Sequence, residues 1–286
     1  YTIRSGVVPV NIGSTKLKIL SPTIDLLCES EEVGEQAYNE AYENDIMSED
    51  EMLRWMVHKG LWTEADSNRL EALGQDIKRA KKDIFNSRRS GDAVRRIRSL
   101  IRSAEYQIGE LEAKKNSFQQ NTLEGMASLA KWQWLICQCT VLDGEPYDFS
   151  EGDITDHTVL SYYRDSILSQ EHIRLLARND PWKSVWSTKE HTGVTLFANK
   201  DRENTVNQQN LIVWSMMYDN IQESMDCPTE SVIADDDMLD GWFIIQSEKR
   251  EKDREEKAFE ENVKSDKIKN SDEIFVMTDR ENAKNV

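Results

Sequence analysis

The most regular pattern in the chain is a series of apolar residues at alternating spacings of three and four between residues 64 and 118. Its first half consists of Leu70, Leu73, Ile77, Ala80 and Ile84. Its second half consists of Val94, Ile97, Ile101, Ala104, Ile108 and Leu111. The polar stretch NSRRSGD at 86–92 separates the halves. The spacing predicts an antiparallel coiled-coil αα-hairpin at 64–118, whose two arms of about 20 residues each extend about 30 Å.

A second helical pattern, at 123–139, is apolar almost all the way round. A helix of this kind is typically buried on every side, so we expect it to form the centre of the core. The side chains expected to lie inside are Met126, Leu129, Trp132, Leu135 and Ile136.

Capping pairs mark the starts of several helices. In such a pair, Ser, Thr or Asn is followed three residues later by a side chain that hydrogen-bonds back to the cap. The predicted pairs are Ser48 with Glu51, Thr63 with Asp66, Asn121 with Glu124, and Thr205 with Gln208.

The two ends of the chain differ from this helical domain, which spans 25–246. Residues 1–24 hold two β-rich segments around a turn, and Pro9 favours an edge or strap. Residues 247–286 have mixed charge and predict a helix or tail that needs a partner for its order. Because the sequence begins with Tyr1 instead of Met, we expect further residues at one or both ends. The predicted fold class is mainly α: a helical body with a projecting hairpin and a short β-rich N-terminal arm.

Charge is distributed unevenly along this acidic chain. Its net charge is −17, yet residues 78–102 contain ten Lys or Arg and two Asp, a local charge of +8. The remaining residues therefore carry −25. An acidic surface repels nucleic-acid phosphates and anionic membranes. The sequence contains no apolar run of about 18 residues and no signal-peptide pattern, so we expect a cytoplasmic protein without membrane contact.

The hairpin tip is the first candidate binding site. It carries Arg88, Arg89, Arg95 and Arg96 close to one turn. Guanidinium groups form paired hydrogen bonds with carboxylates and phosphates. Three interpretations stay open: a solvated helix face, a surface for an acidic protein that includes other copies of this chain, and a nucleic-acid contact. Nucleic acid is the least favoured, because few aromatic residues lie nearby for base stacking.

The second candidate is the acidic stretch Asp235, Asp236, Asp237, which precedes Trp242. The spacing fails as a calcium loop, because Met238 and Leu239 occupy positions that need oxygen ligands. One interpretation is a helix start, at which Asp side chains accept hydrogen bonds from free N–H groups. The other is a partner-binding element in which Trp242 is the anchor.

The sequence contains no established catalytic motif, and we predict a protein that is not an enzyme. No P-loop, G-x-S-x-G or H-E-x-x-H motif occurs, and the four His are scattered. Cys137 and Cys139 lie on the most apolar helix, where Cys usually acts as a small apolar residue. We therefore expect neither a catalytic residue, nor a metal, nor a cofactor.

Several segments resemble a group of uncharacterised structural or morphogenesis proteins of tailed bacteriophages. They are GLW (60–62), the hairpin, AKWQWLICQCT (130–140), DPWKSVW (180–186) and DDDMLDGWFI (235–244). The resemblance implies a virion component or assembly factor that contacts phage or host proteins, in the host cytoplasm or in the virion. The alternative is a regulator that contacts nucleic acid or the transcription machinery through the basic hairpin.

Overall fold

A computed structural model describes residues 2–12, 15–149, 155–192, 195–199 and 201–264. Within these residues the chain is mainly helical, as predicted. The helices are α1 (Thr2–Ser5), α2 (Ile24–Glu43), α3 (Glu49–His58), α4 (Glu64–Asn86), α5 (Gly91–Lys115), α6 (Leu123–Cys139), α7 (Thr155–Asp165), α8 (Gln170–Arg178), α9 (Trp182–Thr192), α10 (Val206–Glu223), α11 (Glu230–Ile233) and α12 (Asp236–Lys264). The strands are β1 (Val7–Ile12), β2 (Thr15–Leu20), β3 (Thr140–Leu142) and β4 (Glu145–Pro146).

The four strands form one antiparallel sheet in the order β1-β2-β3-β4. Leu17 and Ile19 of β2 are buried with Leu135 of α6, so the sheet packs on this helix. The N-terminal segment is therefore part of the body, because β2 pairs with β3 from the middle of the chain. Pro9 lies on β1, a strand at the edge of the sheet, where a residue without an N–H is tolerated. Residues 2–5 are helical instead of extended.

Helix α6 is only half buried, which corrects the prediction that it is enclosed on all sides. Leu135 and Ile136 are 2% and 3% exposed, as expected for core residues. Met126, Leu129 and Trp132 are instead 40%, 46% and 42% exposed. The physical reason is that α2 and the sheet cover only part of the circumference of α6, and the remaining apolar side chains face outward.

Local capping signals were accurate with one exception. Capping boxes begin α3 at Ser48, α4 at Thr63 and α10 at Thr205. The cap of α6 is Thr122 instead of Asn121, and its side chain accepts a hydrogen bond from the N–H of Gly125. Glu124, predicted to complete that box, accepts a bond of 2.8 Å from the N–H of Glu49 and so connects α6 to α3.

Helices α4 and α5 pack side by side in opposite directions. Near the base, Lys114 Nζ of α5 lies 2.8 Å from Asp66 Oδ2 of α4. Towards the turn, Ile84 packs with Val94 and Ile101 in a buried cluster. The apolar stripes that predict this pairing therefore face each other.

The pair α4–α5 is also attached to the body through α12, so the two helices do not pack only against each other. Met238 of α12 joins the cluster around Ile84. Gly241 lies against α4 so closely that a Cβ atom there would stand 2.2 Å from the backbone oxygen of Lys81. Only glycine fits at this crossing. Helix α12 continues without a break past residue 247, the predicted start of a separate segment, and residues 265–286 lie outside the described part.

Candidate interaction site

The tip between α4 and α5 places all four predicted arginines on the surface. Arg88, Arg89, Arg95 and Arg96 are exposed. Arg88 donates to the backbone oxygen of Phe85 at 3.0 Å, and its guanidinium lies 4.6 Å from the centre of the Phe85 ring. These contacts are local, so they hold the side chain near the turn without burying its charge.

The tip arginines have few contacts with carboxylates within the described part of the chain. Arg95 pairs with Asp92, one turn earlier on α5, and both side chains are more than three-quarters exposed, at 79% and 78%. An exposed pair of this kind contributes about 0–1 kcal/mol. Arg89 and Arg96 form no ion pair with any described residue. Most of the charge at the tip is therefore available to a partner.

The acidic residues at the start of α12 bind cations of the same chain. Asp235 caps the helix, because its Oδ1 accepts a bond of 3.1 Å from the N–H of Met238. The Arg98 guanidinium of α5 pairs with Asp235 and lies 2.8 Å from Asp237 Oδ2 through its Nε. The pKa of Arg98 is raised, chiefly by its hydrogen bond to Asp235, so the guanidinium keeps its charge.

Helix α8 supplies two further arginines to the same acidic residues. Arg178 hydrogen-bonds to Asp236, and Arg174 Nη1 lies 2.8 Å from Asp240 Oδ1. Burial is the largest single effect on the pKa of Arg178 and lowers it, but the hydrogen bonds to Asp236 and Tyr218 and the nearby charge of Asp236 together outweigh burial, so the pKa is raised. Lys81 of α4 lies 2.7 Å from the other Asp240 oxygen. The network therefore connects α4, α5 and α8 to α12, with the four cations Lys81, Arg98, Arg174 and Arg178 facing four carboxylates.

Arg174 is the most buried charge in this network, with 5% of its side chain exposed. Its guanidinium also lies 4.2 Å from the centre of the Trp214 ring, a favourable cation–π distance. Its Nε lies 3.2 Å from Asp236 Oδ1, but the alignment gives no hydrogen bond. The cost of burying Arg174 is therefore offset by its ion pairs, by stacking on Trp214 and by the hydrogen bonds of its two Nη atoms.

Trp242 is an internal anchor of α12. It is 5% exposed and belongs to the buried cluster that includes Ile221, Val232 and Leu239. Because it is buried, its side chain is not accessible to a partner in this conformation. Together with the internal pairing of Asp235, Asp236 and Asp237, it gives this stretch a role inside the fold, whereas the tip arginines stay accessible.

The pairing partners of the acidic stretch were not identified from the sequence. Arg174 and Arg178 lie one helical turn apart on α8, as Asp236 and Asp240 do on α12. This matched spacing of four residues is the only feature of the sequence that points to the pairing of α8 with α12. It does not identify which cation meets which carboxylate, because the two pairs are more than 50 residues apart.

The described residues offer no group of three or more His, Cys, Asp or Glu placed to hold a metal ion. Burial raises the pKa of the Cys139 thiol to about 11, so the nucleophilic thiolate is scarce at neutral pH. No helix in the described part of the chain is both long enough and apolar enough to cross a bilayer.

Comparison of the chain with family models, curated proteins and solved structures finds no match.

Proposed function

We propose that this chain is a non-enzymatic structural or assembly protein of a tailed bacteriophage, which acts through protein–protein contacts. In this proposal α4 and α5 form a coiled-coil hairpin whose projecting tip binds an acidic surface of a phage or host protein. The protein works in the host cytoplasm or as part of the virion. The segments that resemble phage structural proteins support the setting, and the tip supports the mode of action.

The observation that carries the proposal is the contrast between two groups of arginines. Arg98, Arg174 and Arg178 each contact carboxylates of the same chain. The arginines of the tip remain exposed although the chain has 53 acidic residues to offer. Like charges beside one turn repel each other, and an acidic partner relieves this repulsion through charge-assisted hydrogen bonds.

The test is a variant in which all four tip arginines, Arg88, Arg89, Arg95 and Arg96, are replaced by Glu. Folding is expected to be almost unchanged, because exposed charges contribute little to stability. Co-sedimentation with phage particles and assembly intermediates is expected to be lost. A matched control reverses four exposed cations of α12, namely Arg250, Lys252, Arg254 and Lys257, and should still co-sediment.

Two results would contradict the proposal. If the tip variant associates with particles as well as the wild type does, the tip is only a solvated turn. If the wild type instead binds DNA or RNA in a salt-dependent manner and the tip variant does not, the alternative function is favoured. That alternative is a regulator that contacts nucleic acid or the transcription machinery.

A further inference from the structure

Helix α2 has an acidic outer surface. Its twenty residues include seven Asp or Glu and no Lys or Arg. The seven are all exposed: Asp25, Glu29, Glu31, Glu32, Glu35, Glu40 and Glu43. The opposite side of the helix is buried through small residues, among them Ser30, Gly34 and Ala41. We call the exposed side of α2 the acidic face.

The acidic face is electrostatically unfavourable in a single copy of the chain. Of the seven acidic residues of α2, only Glu31 forms an ion pair with a described residue, Lys131 of α6. Glu40 and Glu43 lie at the C-terminal end of the helix, where the negative end of the helix dipole disfavours them. No basic residue occupies that last turn. A cationic partner would therefore gain from this face without displacing internal pairs.

A second surface of the same chain has the complementary charge. It consists of the four tip arginines together with Arg102, Leu100 and Tyr106 of α5, and we call it the basic face. Leu100 and Tyr106 are 66% and 71% exposed, so apolar and aromatic side chains lie among the guanidinium groups. Arg and Tyr are the residue types that protein interfaces favour most.

The two faces resemble each other in size and are not paired within one copy. Helix α2 is about 30 Å long, and the basic face extends over about 25 Å of α5 and the turn. No ion pair joins α2 to α5 in the described part of the chain. The acidic face also exposes Tyr42 to 68%, which gives it an aromatic side chain to set beside Leu100 or Tyr106.

We infer that the basic face of one copy binds the acidic face of a second copy. The inference rests on the proposed function and names the partner as another molecule of this chain. Because each copy carries both faces, the contact builds a ring or a filament, or closes as a two-fold dimer if both contacts form at once. Charge complementarity favours a second copy as the partner, because the acidic face repels nucleic acid and the basic face attracts carboxylates or phosphates.

The inference is tested by sedimentation of the purified full chain over a range of protein and salt concentrations. At low salt and up to about 1 mM protein, which detects even weak complexes, the wild type is expected to sediment as a multimer. In about 1 M salt, where charges are screened beyond about 3 Å, it is expected to sediment as a monomer.

Two charge-reversed variants decide whether the two faces meet. The tip variant (Arg88, Arg89, Arg95 and Arg96 to Glu) makes both faces acidic. The second variant, Glu32→Lys, Glu35→Lys and Glu43→Lys, makes both faces basic. Each alone is expected to be monomeric, and an equimolar mixture is expected to form multimers again. Glu251→Lys, Glu255→Lys and Glu256→Lys on α12 apply the same charge change elsewhere and should leave assembly intact.

The neutral variant Glu32→Gln, Glu35→Gln and Glu43→Gln serves if the lysine variant does not fold. It should weaken association at least tenfold and should not assemble with the tip variant. A wild type that stays monomeric at low salt, or a mixture of the two folded charge-reversed variants that stays monomeric, would overturn the inference. A monomeric wild type that still binds phage particles through the tip leaves the proposed function intact. If the chain self-associates but binds no phage or host protein, the proposed function is contradicted and the inference about self-association still holds.

Discussion

Arginine has two different environments in two neighbouring regions of this molecule. Arg98 and Arg95 lie one turn apart on α5, yet Arg98 contacts two carboxylates at the start of α12 while Arg95 contacts only the exposed Asp92. The difference arises from position relative to the start of α12. A guanidinium that faces the start of α12, such as that of Arg98, joins two helices of the fold. A guanidinium nearer the turn, such as that of Arg95, is solvated and accessible to another molecule.

The most direct way to test this contrast is removal of the buried arginine. Arg174→Met keeps much of the side-chain volume but leaves Asp236 and Asp240 with fewer cations in a partly buried site. We expect a loss of about 3 kcal/mol in unfolding free energy, as for other broken buried ion pairs. The measurement is urea denaturation. Arg96→Met at the tip is the matched control, and an equal loss in both variants would contradict the contrast.

A smaller effect is expected for the coupling between paired charges. A double-mutant cycle on Arg98 and Asp237 should give an interaction energy of about 1 kcal/mol, because both side chains are about one-third exposed, at 30% and 32%. The same cycle on Arg95 and Asp92 should give less than about 0.5 kcal/mol. Similar values for the two cycles would show that α12 does not distinguish these arginines.

The pH dependence of stability should report the contact between α12 and α4. The pKa of Glu248 is lowered, chiefly by its hydrogen bond from Lys82, from an ordinary value of 4.5. A carboxyl whose pKa is lowered by folding stabilises the protein above its unfolded-state pKa, and this contribution is lost as the pH falls through the folded-state pKa. Glu248→Gln should therefore be less stable than the wild type near neutral pH, and the difference should shrink below about pH 4.5.

Unfolding measured from about pH 3 to about pH 7 checks this prediction. Glu251→Gln, on the same helix, is the control and should follow the wild-type curve. A difference between Glu248→Gln and the wild type that stays constant with pH would contradict the assignment to the ionised pair.

The smallest effect is expected at the tip itself. Arg89→Ala and Arg96→Ala, separately or together, should change the unfolding free energy by less than about 0.5 kcal/mol, because neither side chain contacts a described carboxylate. Thermal or urea denaturation of dilute protein in about 1 M salt, where the chain is expected to be monomeric, is the measurement. A clear loss would show that the tip arginines stabilise the fold.

Local features were predictable from the sequence and long-range ones were not. Apolar spacing predicted α4 and α5, and hydroxyl residues followed by Glu, Asp or Gln predicted three helix starts. The capping box at Asn121 was misplaced by one residue because Thr122 is an equally good cap. Strand β3 was missed, since three residues such as Thr140–Leu142 are too few to form a pattern.

The acidic stretch shows the same limit at the candidate site. Asp235 could be predicted as a helix cap because capping is a local interaction. Its pairing with Arg98 joins residues 137 positions apart, and Arg174 and Arg178 come from a third helix. The outward half of α6 was mispredicted because hydrophobicity does not show which side a neighbour covers. Residues such as Trp132 therefore look like core residues in the sequence although they face solvent.

Gly241 has a consequence for how the molecule meets a partner. Where α12 crosses α4, Gly241 brings its backbone against the backbone oxygen of Lys81, and the packing of Met238 and the Lys81–Asp240 ion pair add contacts beside the crossing. Such a close contact restricts how far the two helices can slide or roll against each other. We expect this contact to restrict the tip to one orientation relative to α12, so that, under the proposed function, little conformational entropy is lost on binding. Such preorganisation strengthens binding without a single added contact.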